Sequence, residues 1–162
     1  LIRKHLARLA AAIVLVIVVT GCALFIPSHH TTEEYTPFFA AASAGNLGEV
    51  QREVSANPGL VRATEWDSAT ALHDAVGQNH KDVAAYLLDR GAKVDAVTKD
   101  GLTPLHMAAQ NGDIPIIELL IQRGAPLNVL DAKGWTPLDR ASKWEHPAAV
   151  SLLRKEGGHE GR

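Results

Sequence analysis

The sequence predicts an all-α solenoid of about four helix-turn-helix units, and three observations lead there. The stretch Gly101-Leu102-Thr103-Pro104-Leu105-His106-Met107-Ala108-Ala109 recurs at a fixed interval of 33 residues. Upstream stands Ser68-Ala69-Thr70-Ala71-Leu72-His73-Asp74-Ala75, and downstream Gly134-Trp135-Thr136-Pro137-Leu138-Asp139-Arg140-Ala141. Gly91, Gly124 and Gly157 keep the same interval, each behind an apolar cluster (Leu87-Leu88, Leu120-Ile121, Leu152-Leu153). Aromatic residues make up only 5% of the chain, which suits a thin repetitive core better than a large globular one. A period of this length marks a stacked array, because one unit cannot bury its own apolar face and its neighbours must cover it.

The first 21 residues stand apart from that array. Arg3, Lys4 and Arg8 form a positive start, and Leu9 to Val19 is an apolar run of secretory length. Val19-Thr20-Gly21-Cys22 follows, and this stretch resembles the bacterial lipobox. The resemblance implies that Cys22 is lipidated and becomes the mature N-terminus, and with more than one acyl chain such an anchor is stable. Cys22 is the single cysteine of the chain, so lipidation also gives a use to an otherwise exposed thiol. An uncleaved signal anchor is the alternative. Leu9 to Ile26 is 18 residues, or roughly 27 Å of helix against a hydrocarbon core of ~30 Å. Leu1 is not a methionine, which fits an alternative start codon or a shortened chain. Both readings place the array outside the cytoplasm, in a bacterial cell envelope, because the basic residues stay inside. Ala23, rather than aspartate, after the cysteine is the pattern that resemblance to Gram-negative lipoproteins assigns to the outer membrane.

Residues 22–35 read as a lipidated cysteine and a polar tether without periodicity. From Cys22 to Thr36 it reaches at most about 46 Å. Removal of the leader takes away three of the 16 basic residues and none of the 18 acidic ones. That leaves 13 against 18, a formal charge of −5. That balance argues against nucleic acid or an anionic surface as the target.

The array itself spans 36–158, in units of about 36–65, 66–98, 99–131 and 132–158. The first unit opens at Thr36-Pro37-Phe38-Phe39, and Leu47, Val50 and Val54 give its second helix one apolar stripe. The interval to Thr70 is 34, so a loop near Asn57-Pro58-Gly59 holds one extra residue. In the later units the threonine is a good N-cap and the following proline sits at the first helical position, where no amide hydrogen is needed. Leu105, Ala108 and Ala109 then share one face at helical spacing. Asn111-Gly112 ends that helix through a left-handed residue, and Ile116 to Ile121 forms the second helix until Gly124 stops it. In the last unit Val150, Leu152 and Leu153 point inward. The tail 159–162 is expected to fray.

Thr-Pro-Leu-His, Ala-Ala, Asn-Gly and the closing Leu-Leu…Arg-Gly-Ala together resemble the ankyrin repeat, over about residues 36–158. The resemblance implies two helices and a projecting β-turn finger per unit. It also implies that His73 and His106 hydrogen-bond to the backbone of a neighbouring unit. Ser68 stands where the finger glycine is expected, so the second finger is expected to turn differently. Ala71 replaces the proline, and Asp139 replaces the histidine of the last unit.

No catalytic constellation, phosphate loop or zinc motif is present, and no metal or cofactor is expected. His29-His30 with Glu33-Glu34 lies in the tether, a poor preorganised site. What remains is a surface. By the resemblance, partners dock on the finger tips and the exposed side of the first helices. Those slots hold Trp66, Asp67 and Ala69 with Gly77 and Gln78; Lys99, Asp100 and Leu102 with Gln110 and Asn111; and Ala132, Lys133 and Trp135 with Lys143 and Trp144. All three tryptophans fall there, and tryptophan is enriched in binding hot spots. The expected function is a monomeric, membrane-tethered adaptor without enzymatic activity that binds a protein partner. A regulatory subunit or inhibitor of a periplasmic enzyme is the second expectation.

Overall fold

A computed structural model describes residues 36–161. Cys22, the leader and the tether lie outside the described residues. Eight α-helices follow one another: α1 (Thr36–Ser43), α2 (Leu47–Ala56), α3 (Ala71–Gly77), α4 (Lys81–Asp89), α5 (Pro104–Asn111), α6 (Ile114–Gln122), α7 (Pro137–Lys143) and α8 (Pro147–Lys155). A 3-10 turn over Pro58–Arg62 takes up the extra residue of the first unit. There is no strand among the described residues. Only an isolated bridge, Thr64 to Thr70, pairs backbone in that manner.

The helices pair within each unit and stack between units. Helices α1, α3, α5 and α7 form the inner layer, and α2, α4, α6 and α8 the outer one. Ala75, Ala108, Ala109 and Ala141 are fully buried, which lets the inner helices approach closely. Between the layers lie Leu72, Leu105 and Leu138 from the motif, with Leu87, Ile116, Ile117, Leu120 and Leu153 from the outer helices. Of the inward residues expected on α8, Leu153 is buried, and Val150 and Leu152 are only half-buried.

The helix starts follow from local chemistry. The Thr103 hydroxyl accepts from the His106 amide, and the His106 ring accepts in turn from the Thr103 amide at 3.1 Å. Two amides that the helix would leave orphaned are thereby satisfied. Thr136 with Asp139 repeats the arrangement. Ser68 corrects one expectation. Its φ is +67°, beside +73° at Gly101 and +75° at Gly134, so the second finger turns as the others do. The finger's own backbone bonds, from the Ser68 amide to Glu65 O and from the Glu65 amide to Ala69 O, close around a serine in the left-handed region that glycine occupies elsewhere.

Backbone bonds also define where each finger begins. Each finger closes by a backbone bond, from Glu65 to Ala69, Thr98 to Leu102 and Asp131 to Trp135. Glu65, Thr98 and Asp131 therefore belong to the fingers that follow them. The tail, expected to fray, is tied down over 159–161. The His159 amide donates to Asn128 Oδ1 at 2.9 Å, its carbonyl accepts from the Thr136 hydroxyl at 2.9 Å, and the Gly161 amide donates to Asp139 Oδ2 at 2.8 Å. Asp139 explains the difference: a carboxylate at the histidine slot accepts where the imidazole would donate, and the tail amide supplies the proton.

Candidate functional site

The fingers are coupled to one another before they are coupled to anything else. The Lys99 amide donates to Asp67 O at 2.7 Å, and the Ala132 amide to Asp100 O at 2.9 Å. Beneath them, the His73 ring reaches Leu102 O at 3.0 Å and the His106 ring reaches Trp135 O at 3.0 Å. Because the Nδ1 atom of each ring accepts a threonine amide, the proton must sit on Nε2 and be donated to the next finger. Burial pushes both imidazoles below the ordinary histidine range and keeps them neutral, against the pull of the carbonyls they meet. The inter-unit bonds expected of these histidines are therefore in place.

On this frame stand the residues expected to meet a partner. Trp66 is 75% exposed, with the Lys99 ammonium 5.3 Å from its ring centre. Asp67 is half-buried and accepts from the Ala69 amide inside its own finger. Gln78 and Asp100 are exposed, and Leu102 is half-buried. Gln110 and Asn111 serve the array itself: Gln110 Oε1 accepts from Arg140 at 2.5 Å, and Asn111 Nδ2 donates to Gly77 O at 2.9 Å. Both residues lie at the end of α5, and their polar atoms are already engaged between units.

The last unit gathers the rest. Trp135 and Trp144 meet edge to face, with ring centres 6.1 Å apart. Lys133 lies 5.4 Å from the Trp135 ring, and Trp144 is 41% exposed. Under the pair sits Arg140, 5.8 Å from one ring centre and 5.6 Å from the other. Sequence reasoning missed Arg140. Its guanidinium is buried and paired with Asp131 at 2.5 Å, and the Asp131 side chain is fully enclosed. Burial alone would raise the Asp131 carboxyl. The amides of Trp135 and Lys133 and the Arg140 guanidinium overcome it and hold the group below the usual carboxylate range. The signal available in the sequence was a charge four residues after the motif threonine, a slot that faces the finger.

The same two slots in the second unit hold Glu65 and Asp74, and the middle unit has Thr98 and Met107. With no cation opposite it, Asp74 leaves Oδ2 buried without a partner among the described residues. Burial first, then the charges of Glu65 and Asp67, raise its carboxyl to about 7.

Among the described residues no group of three or more metal-ligating side chains is placed to hold an ion. Among them, too, no helix is long and apolar enough to cross a membrane.

A family model for ankyrin repeats in many copies matches residues 72–121 and 111–154. The chain is similar to the E3 ubiquitin-protein ligase XB3 of Oryza sativa subsp. japonica, 40% identical over 63 residues, which is 38% of this chain and 14% of that protein. It is also similar to the palmitoyltransferase AKR1 of Yarrowia lipolytica, 41% identical over 64 residues, 40% of this chain and 9% of that one. A probable E3 ubiquitin-protein ligase, XBOS31 of Oryza sativa subsp. japonica, is 38% identical over 69 residues, 42% of this chain and 15% of the relative. The chain thus spans less than a sixth of the length of each of these relatives.

Proposed function

The chain belongs to the ankyrin-repeat family, and from that membership we propose that it is an adaptor that binds a protein partner through its fingers and inner helices. In this reading it is held outside the cytoplasm on a bacterial membrane by a lipid on Cys22, and it carries no enzymatic activity. Family membership supports protein binding as the class of function. The basic start, the apolar run and the lipobox-like Val19-Thr20-Gly21-Cys22 support export and tethering.

One observation carries the binding reading. Trp66 and Trp144 are 75% and 41% exposed on the finger and inner-helix face, although packing could have buried such large apolar groups. Tryptophan at a solvent-facing site offers much area with few rotors, which is what a binding hot spot requires.

Crosslinked capture from membranes, with the tryptophans intact and substituted, is the test. A partner captured in stoichiometric amount by the intact chain, and lost with Trp66→Ala or Trp144→Ala at unchanged folding, is the expected result. Capture that is indifferent to every tryptophan would remove the face from the proposal. A captured enzyme whose rate changes on binding would make the chain a regulatory subunit or inhibitor instead. For the tether, Cys22→Ser should abolish incorporation of labelled fatty acid. A wild-type chain that takes up no label and keeps residues 1–21 would establish the signal anchor.

A further inference from the structure

Along the face, the residues that share a repeat slot change character from one end to the other. The slot of Asp67 holds Asp100 and then Lys133; the slot of Gly77 holds Gln110 and then Lys143. The slot of Ala69 ends in Trp135, and that of Gln78 in Trp144. In these four the last unit carries the cation or the aromatic, whereas the slot of Trp66 holds Lys99 and then Ala132, one ring and one ammonium against the two of each in the last unit. Three of these last-unit side chains, Lys133, Trp135 and Lys143, line an open hollow of about 480 Å3 together with Ser142, and Trp144 packs against Trp135 beside it.

Two carboxylates also line it, Asp139 and Glu160, and both are engaged. Asp139 Oδ2 accepts from the Thr136 amide and the Gly161 amide, each at 2.8 Å. Glu160 is paired with Arg154 at 2.8 Å. Lys133 and Lys143 are exposed and have no ion pair among the described residues. The hollow therefore offers two available ammonium groups beside an aromatic pair, whereas the second unit presents the carboxylates of Glu65 and Asp67.

We propose that the last unit is the anchor of this face and takes an extended, acidic segment of a partner protein. Its carboxylates lie on Lys133 and Lys143, and an adjoining apolar side chain rests on the Trp135–Trp144 pair. The inference rests on the protein-binding reading above and narrows it. Charge complementarity fixes the direction: an acidic segment is repelled by the carboxylates of the second unit and attracted by the last. The apolar component follows from the tryptophans, since carboxylates alone would leave their area in water.

The test uses the full chain in detergent. It is titrated with acetylated, amidated peptides that alternate glutamate with leucine, lysine with leucine, or glutamate with serine. Tryptophan fluorescence and calorimetry read the binding. The glutamate–leucine peptide should bind saturably. Combined Lys133→Gln and Lys143→Gln should weaken it about tenfold at unchanged melting temperature, while Lys155→Gln on α8 leaves it as it was. Higher salt should weaken it as well. Lys133→Glu with Lys143→Glu should move preference to the lysine–leucine peptide, which keeps the test independent of any one variant. Absence of saturable binding by the glutamate–leucine peptide would overturn the proposal. So would equal binding of the lysine–leucine or glutamate–serine peptide, or indifference to both lysine pairs. If peptide binding fails while tryptophan-dependent capture persists, this inference falls and the adaptor reading stands; if both fail, both fall.

Discussion

The imidazole of His146 occupies the space that a side chain on Gly112 would need: a Cβ there would lie 2.5 Å from its Cγ and Nδ1. The ring is held by its Nε2 atom on Gln110 O at 2.9 Å, at the end of the preceding inner helix. Gly45 and His80 stand in the same relation one pair of units earlier, with the ring on Ser43 O at 3.0 Å. Between them, Asn79 carries a side chain at φ +68°, and the residue at the histidine slot across that junction is Asp113, whose side chain caps α6 by accepting from the Ile116 amide. There the junction is bridged by Asn111 instead. Glycine and histidine thus alternate as a coupled pair along the array.

This coupling predicts non-additive mutations. Gly112→Ala should cost about 2 kcal/mol or more, since it adds a clash to left-handed strain. In a His146→Ala background the same change should cost only the strain, ~1–2 kcal/mol. A denaturant double-mutant cycle measures the difference. An equal cost in both backgrounds would show that the ring does not set the glycine requirement.

Ser68 predicts a stabilising change. Its φ of +67° lies where glycine is strain-free, so Ser68→Gly should gain ~1 kcal/mol and raise Tm by a few degrees. The Trp66 and Asp67 side chains beside it are untouched, and partner capture should be unchanged.

For the buried ion pair, removal of one partner is the costly change. Arg140→Ala leaves the Asp131 carboxylate enclosed and unpaired and should lose ~3–5 kcal/mol. Arg140→Met combined with Asp131→Asn should lose less, because no charge is stranded and the asparagine oxygen can still accept the finger amides. Urea midpoints of the single and double variants decide between these outcomes.

Asp74 and the motif histidines pull stability in opposite directions with pH. The Asp74 carboxyl is raised to about 7 in the folded protein, so the folded state holds a proton that the unfolded one releases above ~4. Its contribution falls as pH rises from about 4 to 7. His73 and His106 are lowered, so their neutral bonds are favoured at high pH and stability is lost as pH falls below ~6.5. Asp74→Asn should therefore raise Tm at pH 7.5, but not at pH 4, by the equivalent of ~1 kcal/mol once solvent screening is allowed for. It should also expose the histidine decline on acidification. A variant that melts with the wild-type pH profile would contradict the assignment.

The tryptophans separate by environment. Trp66→Ala should leave Tm within about a degree of wild type, as surface changes usually do. Trp135→Ala removes a ring that covers Arg140 and meets Trp144, and should lower Tm measurably. Melting temperature alongside binding for Trp66→Ala, Trp135→Ala and Trp144→Ala distinguishes packing from recognition.

The sequence by itself determined the period, the helix starts and stops, the inward leucines and alanines, and the strip on which the tryptophans lie. Each of these is a local signal, a cap, a breaker or a periodicity, repeated until it was unmistakable. Tertiary structure decided what happens between units. His80 and His146 stand two repeat lengths apart, at one slot, but only packing shows that their rings fill the space over Gly45 and Gly112. Spacing puts Gln110 and Asn111 at the end of an inner helix, but their hydrogen bonds to Arg140 and Gly77 cross to neighbouring units and cannot be read from it. It left the tail loose, because nothing local holds residues 159–161; their partners, Asn128, Thr136 and Asp139, lie more than twenty residues away. The physical reason is the same in each case. Backbone propensity is encoded within one helical turn, whereas the pairing of polar atoms across a stack depends on which side chains the stacking brings together.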